Sequence, residues 1–192
     1  GCVEQIYEFD TGFDQQQGLQ LPIERDQLPR GVTSDTFLYV GRIEEAKGVF
    51  DLLDAFASVR QNRSAQLVFV GSGSAIQKLQ RRATEHAYAA DIQILGNVPH
   101  QEIFALMRQS LAVVTPTQTC FPEGRCMSAM EAFFVGTPVI APDFGPFPYL
   151  VHHEKNGLLY TPDSTASLAT AMRALHTDTA LLANLRDGAA AT

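Results

Sequence analysis

The chain has 192 residues, 45% of them hydrophobic and 18% charged, with a formal net charge of -7. This composition excludes a disordered tail, a collagen-like repeat and a coiled coil, and a chain of this length buries roughly 70% of its unfolded surface without disulfide or metal staples. No basic run is longer than Arg81-Arg82 and no apolar run approaches the ~18–20 residues of a membrane span, so neither nucleic acid nor a bilayer crossing is expected.

The three cysteines, Cys2, Cys120 and Cys126, have neither metal-ligand nor CxxC spacing, which points to free thiols in a reducing compartment. Asn62-Arg63-Ser64 matches a glycosylation sequon, but nothing else indicates secretion. No signal peptide is visible and the first residue is not Met, so the chain is read as starting within a longer protein.

Residues 1–35 are irregular. Gln15-Gln16-Gln17-Gly18, Pro22 and Pro29-Arg30-Gly31 interrupt any periodicity, and the stretch reads as a linker preceding a domain over 36–192. From there short apolar runs recur: Phe37–Val40, Gln66–Val70, Ile92–Leu95, Ala112–Thr115, Pro138–Ala141 and Gly157–Tyr160. Most are apolar on both faces, as in a parallel sheet buried under helices on both sides. Helical spacing lies between them, with Val49, Leu52, Leu53, Phe56 and Val59 on one stripe. Ile103, Leu106 and Met107 form another, as do Met127, Met130 and Phe134, and then Leu168, Met172 and Leu175 behind an Asp163-Ser164 cap. Alternating strand and helix implies a doubly wound, Rossmann-like α/β sheet with right-handed crossovers.

Ligands of such sheets bind beyond the carboxyl ends of the strands. The residues placed there are Gly41-Arg42, Gly71-Ser72-Gly73, Gly96-Asn97, the loop from Pro116 to Arg125, and Asp143-Phe144-Gly145, with Lys47 nearby. Glycine admits close backbone approach, helix N-termini attract anions, and two cations suit a phosphate or diphosphate. A dinucleotide fingerprint at Gly71-Ser72-Gly73 is poor, because Ile76 stands at the third glycine position and the next strand ends in Gly96-Asn97 rather than an acid.

Glu123 and Glu131 are more informative. The first falls in a strand-end loop and the second in the following helix, eight residues on, or about 12 Å if helical. That separation suits a diphosphate-linked sugar, with one carboxylate at the sugar hydroxyls and one at the ribose, and the intervening amides at the phosphates. Ala129, Met130, Ala132, Phe133 and Phe134 surround Glu131, and a carboxylate in that company requires a partner. The histidines read as bland: His152, His153 and His176 as solvated, His86 and His100 as flanking predicted elements.

Taken together, Gly41-Arg42 with Lys47-Gly48, Glu123 with Glu131-Ala132, Gly136-Thr137-Pro138-Val139-Ile140-Ala141 and Asn156-Gly157-Leu158-Leu159 resemble the donor-binding half of retaining, family-4-like glycosyltransferases of the GT-B fold. The resemblance spans about residues 36–190. It implies that Arg42 and Lys47 grip the donor diphosphate and stabilise the departing nucleotide. It also implies that Glu123 contacts the transferred sugar and that Glu131 holds the ribose. By the same resemblance Gly41, with Gly124, Arg125, Cys126 and Met127, lies along sugar and phosphate, and Gly96, Asn97 and Val98 lie beside the base. It implies a nucleotide-sugar donor, no cofactor and no divalent metal.

Three departures stand out. Gly145-Pro146-Phe147-Pro148-Tyr149 replaces Gly-Gly-x-x-Glu, which leaves the role of Tyr149 open, and Arg125-Cys126 replaces the commoner Phe-Gly, with Arg125 either biasing the donor or facing solvent. The acceptor-binding half is expected to lie outside this chain, which is read as stopping at Gly188-Ala189-Ala190-Ala191, before the closing helices usual in the family. The acceptor, a glycan or a lipid-linked molecule, is therefore unknown, the chain alone is expected to bind donor and catalyse little, and a cytoplasmic location follows from the donor, with membrane contact left to the absent half. Two alternative readings compete with it: a sugar-nucleotide epimerase of the same fold, which would require proton-abstracting groups not found in this sequence, and a decayed nucleotide-binding module.

Overall fold

The computed structural model describes residues 32–61 and 64–192. Most of the expected linker, Cys2 and the Asn62-Arg63 portion of the sequon lie outside the described residues.

The elements alternate strictly at first. Strand β1 (Thr36–Val40) leads through a single turn at Glu45–Lys47 into helix α1 (Val49–Arg60), followed by β2 (Gln66–Val70), α2 (Ile76–Thr84) and β3 (Ile92–Gly96). Then come α3 (His100–Gln109), β4 (Ala112–Val114), α4 (Met127–Phe134), β5 (Val139–Pro142), the one-turn α5 (Phe147–Leu150) and β6 (Gly157–Tyr160). Two helices end the chain, α6 (Thr165–Thr177) and α7 (Thr179–Ala190). The apolar periodicity did not anticipate α2, α5 or α7. α2 has only nine residues, and its inward stripe is Ile76, Leu79 and Ala83 in an otherwise polar sequence, too short a run to fix a period.

The six strands form one sheet in the order β3-β2-β1-β4-β5-β6, all neighbours parallel. This is the expected doubly wound α/β fold. The strand order reverses between β1 and β4, so the chain leaves these adjacent strands toward opposite faces and a crevice opens at their carboxyl ends.

Alternation along β1 divides the interior. Phe37 and Tyr39 point to a core shared with Leu52, Leu53, Phe56, Leu168 and Met172. Leu38 points to a second core on the other face with Leu106, Met107, Ala129, Phe133 and Phe147. Ser164 caps α6 by accepting from Ser167 N–H at 3.2 Å, as expected of a serine at that position.

The stripe expected on α4 is corrected. Met127, Met130 and Phe134 are exposed, whereas Ala129, Ala132 and Phe133 are buried. Both sets have helical spacing, and the buried one sets two small side chains, Ala129 and Ala132, together with Phe133 in the second core. His176 is also corrected: it is buried, packs edge-on against Phe37 at 6.0 Å between ring centroids, and lies 4.0 Å from Asp35.

Candidate active site

At the crevice, β1 and β4 supply the floor of an open cleft of about 370 Å³. Val40, Gly41, Arg42 and Lys47 come from the end of β1 and the segment after it. Thr115, Thr117, Glu123 and Arg125 come from the loop after β4, and Cys126, Met127, Ser128 and Glu131 from the start and first turns of α4. Arg42, Lys47, Glu123, Glu131, Gly41, Arg125, Cys126 and Met127 are thus gathered into one cavity. Gly96, Asn97 and Val98 end β3 outside its lining, as do Gly124 and the fully solvated Tyr149.

The segment after β1 is held by backbone complementarity. Gly41 N–H donates to Val70 O at 3.0 Å and Ile43 N–H to Ser72 O at 2.8 Å. Gly71 has φ +130° and a Cβ there would lie 1.9 Å from Gly41 O, so no side chain fits between these turns. Gly71-Ser72-Gly73 therefore braces the cleft wall. Gly48 (φ +70°) allows the equally close approach of the β4 loop, since a Cβ there would meet Pro116 O at 1.8 Å. Gln118 N–H donates to Ala46 O at 3.0 Å across the same junction, and its side chain donates to Asp51 at 2.7 Å.

This brings Lys47 Nζ to 2.5 Å from Glu123 Oε2, with side-chain exposures of 15% and 9%. Thr117 Oγ1 donates to the same oxygen at 3.3 Å. The ring of Phe121 lies 4.0 Å from Lys47 Nζ and 5.4 Å from the Arg42 guanidinium carbon. Arg42 itself is mostly solvated and pairs with Glu44 at 2.9 Å. Sequence reasoning missed Thr117 and Phe121. The aromatic between Cys120 and Pro122 was the available signal, but only the fold shows that both cations flank it.

Glu131 reaches the cleft from the second turn of α4. Burial pushes its carboxyl above the usual carboxylate range, partly offset by His100, whose Nε2 lies 3.6 Å from Oε1. His100 is therefore a correction to the reading of it as a bland flanking residue. Tyr39 closes the floor: its hydroxyl donates to Arg42 O at 2.6 Å, and burial raises its phenol well above the normal range. Burial likewise raises the Cys126 thiol, which keeps it protonated and a poor nucleophile, while Cys120 is exposed. Among the described residues no group of three or more His, Cys, Asp or Glu side chains is arranged to hold a metal ion.

A cleft with two cations against one wall, two carboxylates and a helix N-terminus between them is chemically suited to an anion that carries hydroxyl groups. The chain belongs to the glycosyl transferases group 1 family, whose model matches residues 22–192. It is 31% identical over 144 residues to a glycogen synthase of Mycobacterium tuberculosis, covering 74% of this chain and 34% of that protein. The C-terminal domain of the group 1 glycosyl transferase LpcC from Francisella tularensis has the same fold, with a TM-score of 0.74 at 21% identity over 92% of this chain and 89% of that one. HepE of Anabaena, solved in complex with UDP-glucose, matches with a TM-score of 0.73 at 26% identity over 82% of this chain and 43% of its own. The fold is that of the C-terminal, donor-binding domain of GT-B glycosyltransferases. The chain spans about a third of the glycogen synthase it matches.

Proposed function

We propose that this chain provides the donor site of a retaining glycosyltransferase that moves a hexosyl group from a nucleoside-diphosphate sugar to a glycan or lipid-linked acceptor held by a separate N-terminal domain. The observation that carries the reading is the convergence of Arg42, Lys47, Glu123 and Glu131 on one cleft at the β1/β4 switch point. HepE, similar to this chain in fold, was solved in complex with UDP-glucose, which supports a nucleotide-sugar donor here.

In this reading the diphosphate sits between the cations and the first turn of α4, where the positive end of the helix dipole favours an anion. Lys47 exchanges part of its contact with Glu123 for a phosphate oxygen, and Arg42 swings from Glu44 to the same group. As the bond from the anomeric carbon to the phosphate oxygen breaks, negative charge grows on the leaving diphosphate, and these preplaced cations stabilise it. The cations perform electrostatic work that other transferases give to a divalent metal, so the mechanism calls for none and for no cofactor. Glu123, fixed by Lys47 and Thr117, accepts from sugar hydroxyls, and Glu131 accepts from the two ribose hydroxyls. Arg125 stands at the sugar end of the cleft, and Gly96, Asn97 and Val98 edge the base. The location proposed is the cytoplasm, with membrane contact left to the acceptor half.

The two carboxylates separate the test. Glu131→Ala weakens free nucleoside diphosphate and nucleotide-sugar alike by about 1–3 kcal/mol, whereas Glu123→Ala mainly weakens the nucleotide-sugar. Equal losses of both ligands in both variants would contradict the assignment.

A further inference from the structure

The aromatic stack on the exposed side of α3 and α4 leads to the site. His100, the first residue of α3, packs edge-on against Phe104 with centroids 5.0 Å apart and planes at 84°, and Phe104 packs against Phe134 at 5.8 Å. Phe134 is one of the large apolar side chains left 40% exposed on α4, so it adds little to the core. What it does is support Phe104, which in turn fixes the plane of the imidazole. So held, His100 presents Nε2 to Oε1 of Glu131, on a neighbouring helix, at 3.6 Å.

The terminal torsion of a glutamate is broad and soft. A carboxylate that accepts from two vicinal hydroxyls must hold both oxygens in one plane, and a free rotor pays for that alignment on binding. A polar neighbour fixed beside one oxygen, as His100 Nε2 is beside Oε1, narrows the rotor's range beforehand. We infer that His100, aimed by Phe104 and Phe134, is a positioning residue that orients the Glu131 carboxylate for both ribose hydroxyls and so makes the site select ribonucleotide over 2′-deoxyribonucleotide donors. The inference rests on the proposal that Glu131 holds the ribose. His100 also starts the helix that follows Gly96, Asn97 and Val98, so it joins the base edge of the site to its ribose carboxylate.

The test is calorimetric titration of the chain with UDP, ADP and GDP and their 2′-deoxy counterparts, in wild type, His100→Ala, His100→Gln and Glu131→Ala. Wild type prefers the best ribonucleotide to its deoxy form by about tenfold. His100→Ala reduces that preference to about threefold or less while its affinity for the deoxy form changes by less than about twofold, and His100→Gln, which keeps an N–H donor, restores most of it. A merely structural role predicts equal losses for both forms, and that outcome, or an undiminished preference in His100→Ala, overturns the inference. If Glu131→Ala abolishes the preference but His100→Ala does not, the ribose reading stands and this inference falls. If Glu131→Ala keeps the preference, or none of the six ligands binds, the ribose reading falls and takes the inference with it.

Discussion

Lys47 and Glu123 form an ion pair at 2.5 Å although 76 residues separate them, and both side chains are largely withdrawn from water. The pair ties the segment after β1 to the loop after β4 across the crevice. It sets a cation and a carboxylate side by side, which under the proposed function are the phosphate and sugar contacts, and the aromatic face of Phe121 further shields the lysine.

Breaking one half of such a pair strands the other charge. Lys47→Met should lower stability by about 1–3 kcal/mol, and Glu123→Gln by a similar amount, but the double variant should lose less than the sum of the two. Urea unfolding of the four proteins measures the coupling. Additive losses would show that the pair contributes nothing beyond its members.

Glu131 carries a pH signature. Burial raises its folded pKa above the unfolded value, so the folded state binds the proton more tightly, and stability from this group is present at low pH and lost as pH rises through the folded value. Glu131→Gln should therefore raise the urea midpoint at about pH 7 and leave it little changed near pH 3, below the reference carboxylate pKa of about 4.3. The proposed ribose contact needs the ionised form, so under that proposal nucleotide affinity in wild type should fall with acidification at a pH above the usual carboxylate range. The same variant should lose that dependence.

Gly48 sits at φ +70° with Pro116 O only 1.8 Å from where a Cβ would be. Gly48→Ala has to separate the two walls of the cleft and take up a left-handed conformation as well. The expected cost is about 2–4 kcal/mol in thermal or chemical unfolding, with donor binding lost even at temperatures where the variant is folded. Alanine at Gly124, where a Cβ meets nothing within 4 Å, is the control for stability and should unfold at nearly the same midpoint as wild type.

The loop bearing Glu123 has a second tether. Asp163, at φ 54°, accepts from the Thr119 N–H at 3.0 Å and from its hydroxyl. Asp163→Ala should free this stretch and weaken nucleotide-sugar binding about three- to tenfold, with little effect on free nucleotide. Asp163→Asn, which tolerates the left-handed backbone and keeps one acceptor, should sit between the two. Titration of all three proteins with both ligands decides it.

The sheet was legible in the sequence because its strands are covered on both faces. Phe37–Val40 and Gln66–Val70 are continuous apolar runs ending in glycine, and runs of that kind have few other uses. Arg42, Lys47, Glu123 and Glu131 were legible because strand ends are where a doubly wound sheet binds ligand. What local pattern could not convey was which stripe of α4 faces inward, since Met127, Met130 and Phe134 compete with Ala129, Ala132 and Phe133 and only tertiary packing chooses. Nor could it pair His100 with Glu131, or Thr119 with Asp163, because those contacts cross between elements far apart in the chain. His176 shows the same limit: a helix-end histidine reads as solvated until the neighbouring Phe37 is seen to cover it.

The central claim is that the β1/β4 cleft receives a nucleoside-diphosphate sugar. The most direct measurement is an equilibrium titration of the unmodified chain with UDP, GDP, ADP, their common sugar conjugates and NAD. The account predicts saturable binding of one nucleoside diphosphate and its sugar conjugate, abolished or sharply weakened in Glu131→Ala. Binding of NAD alone, or of no nucleotide at all, would contradict it.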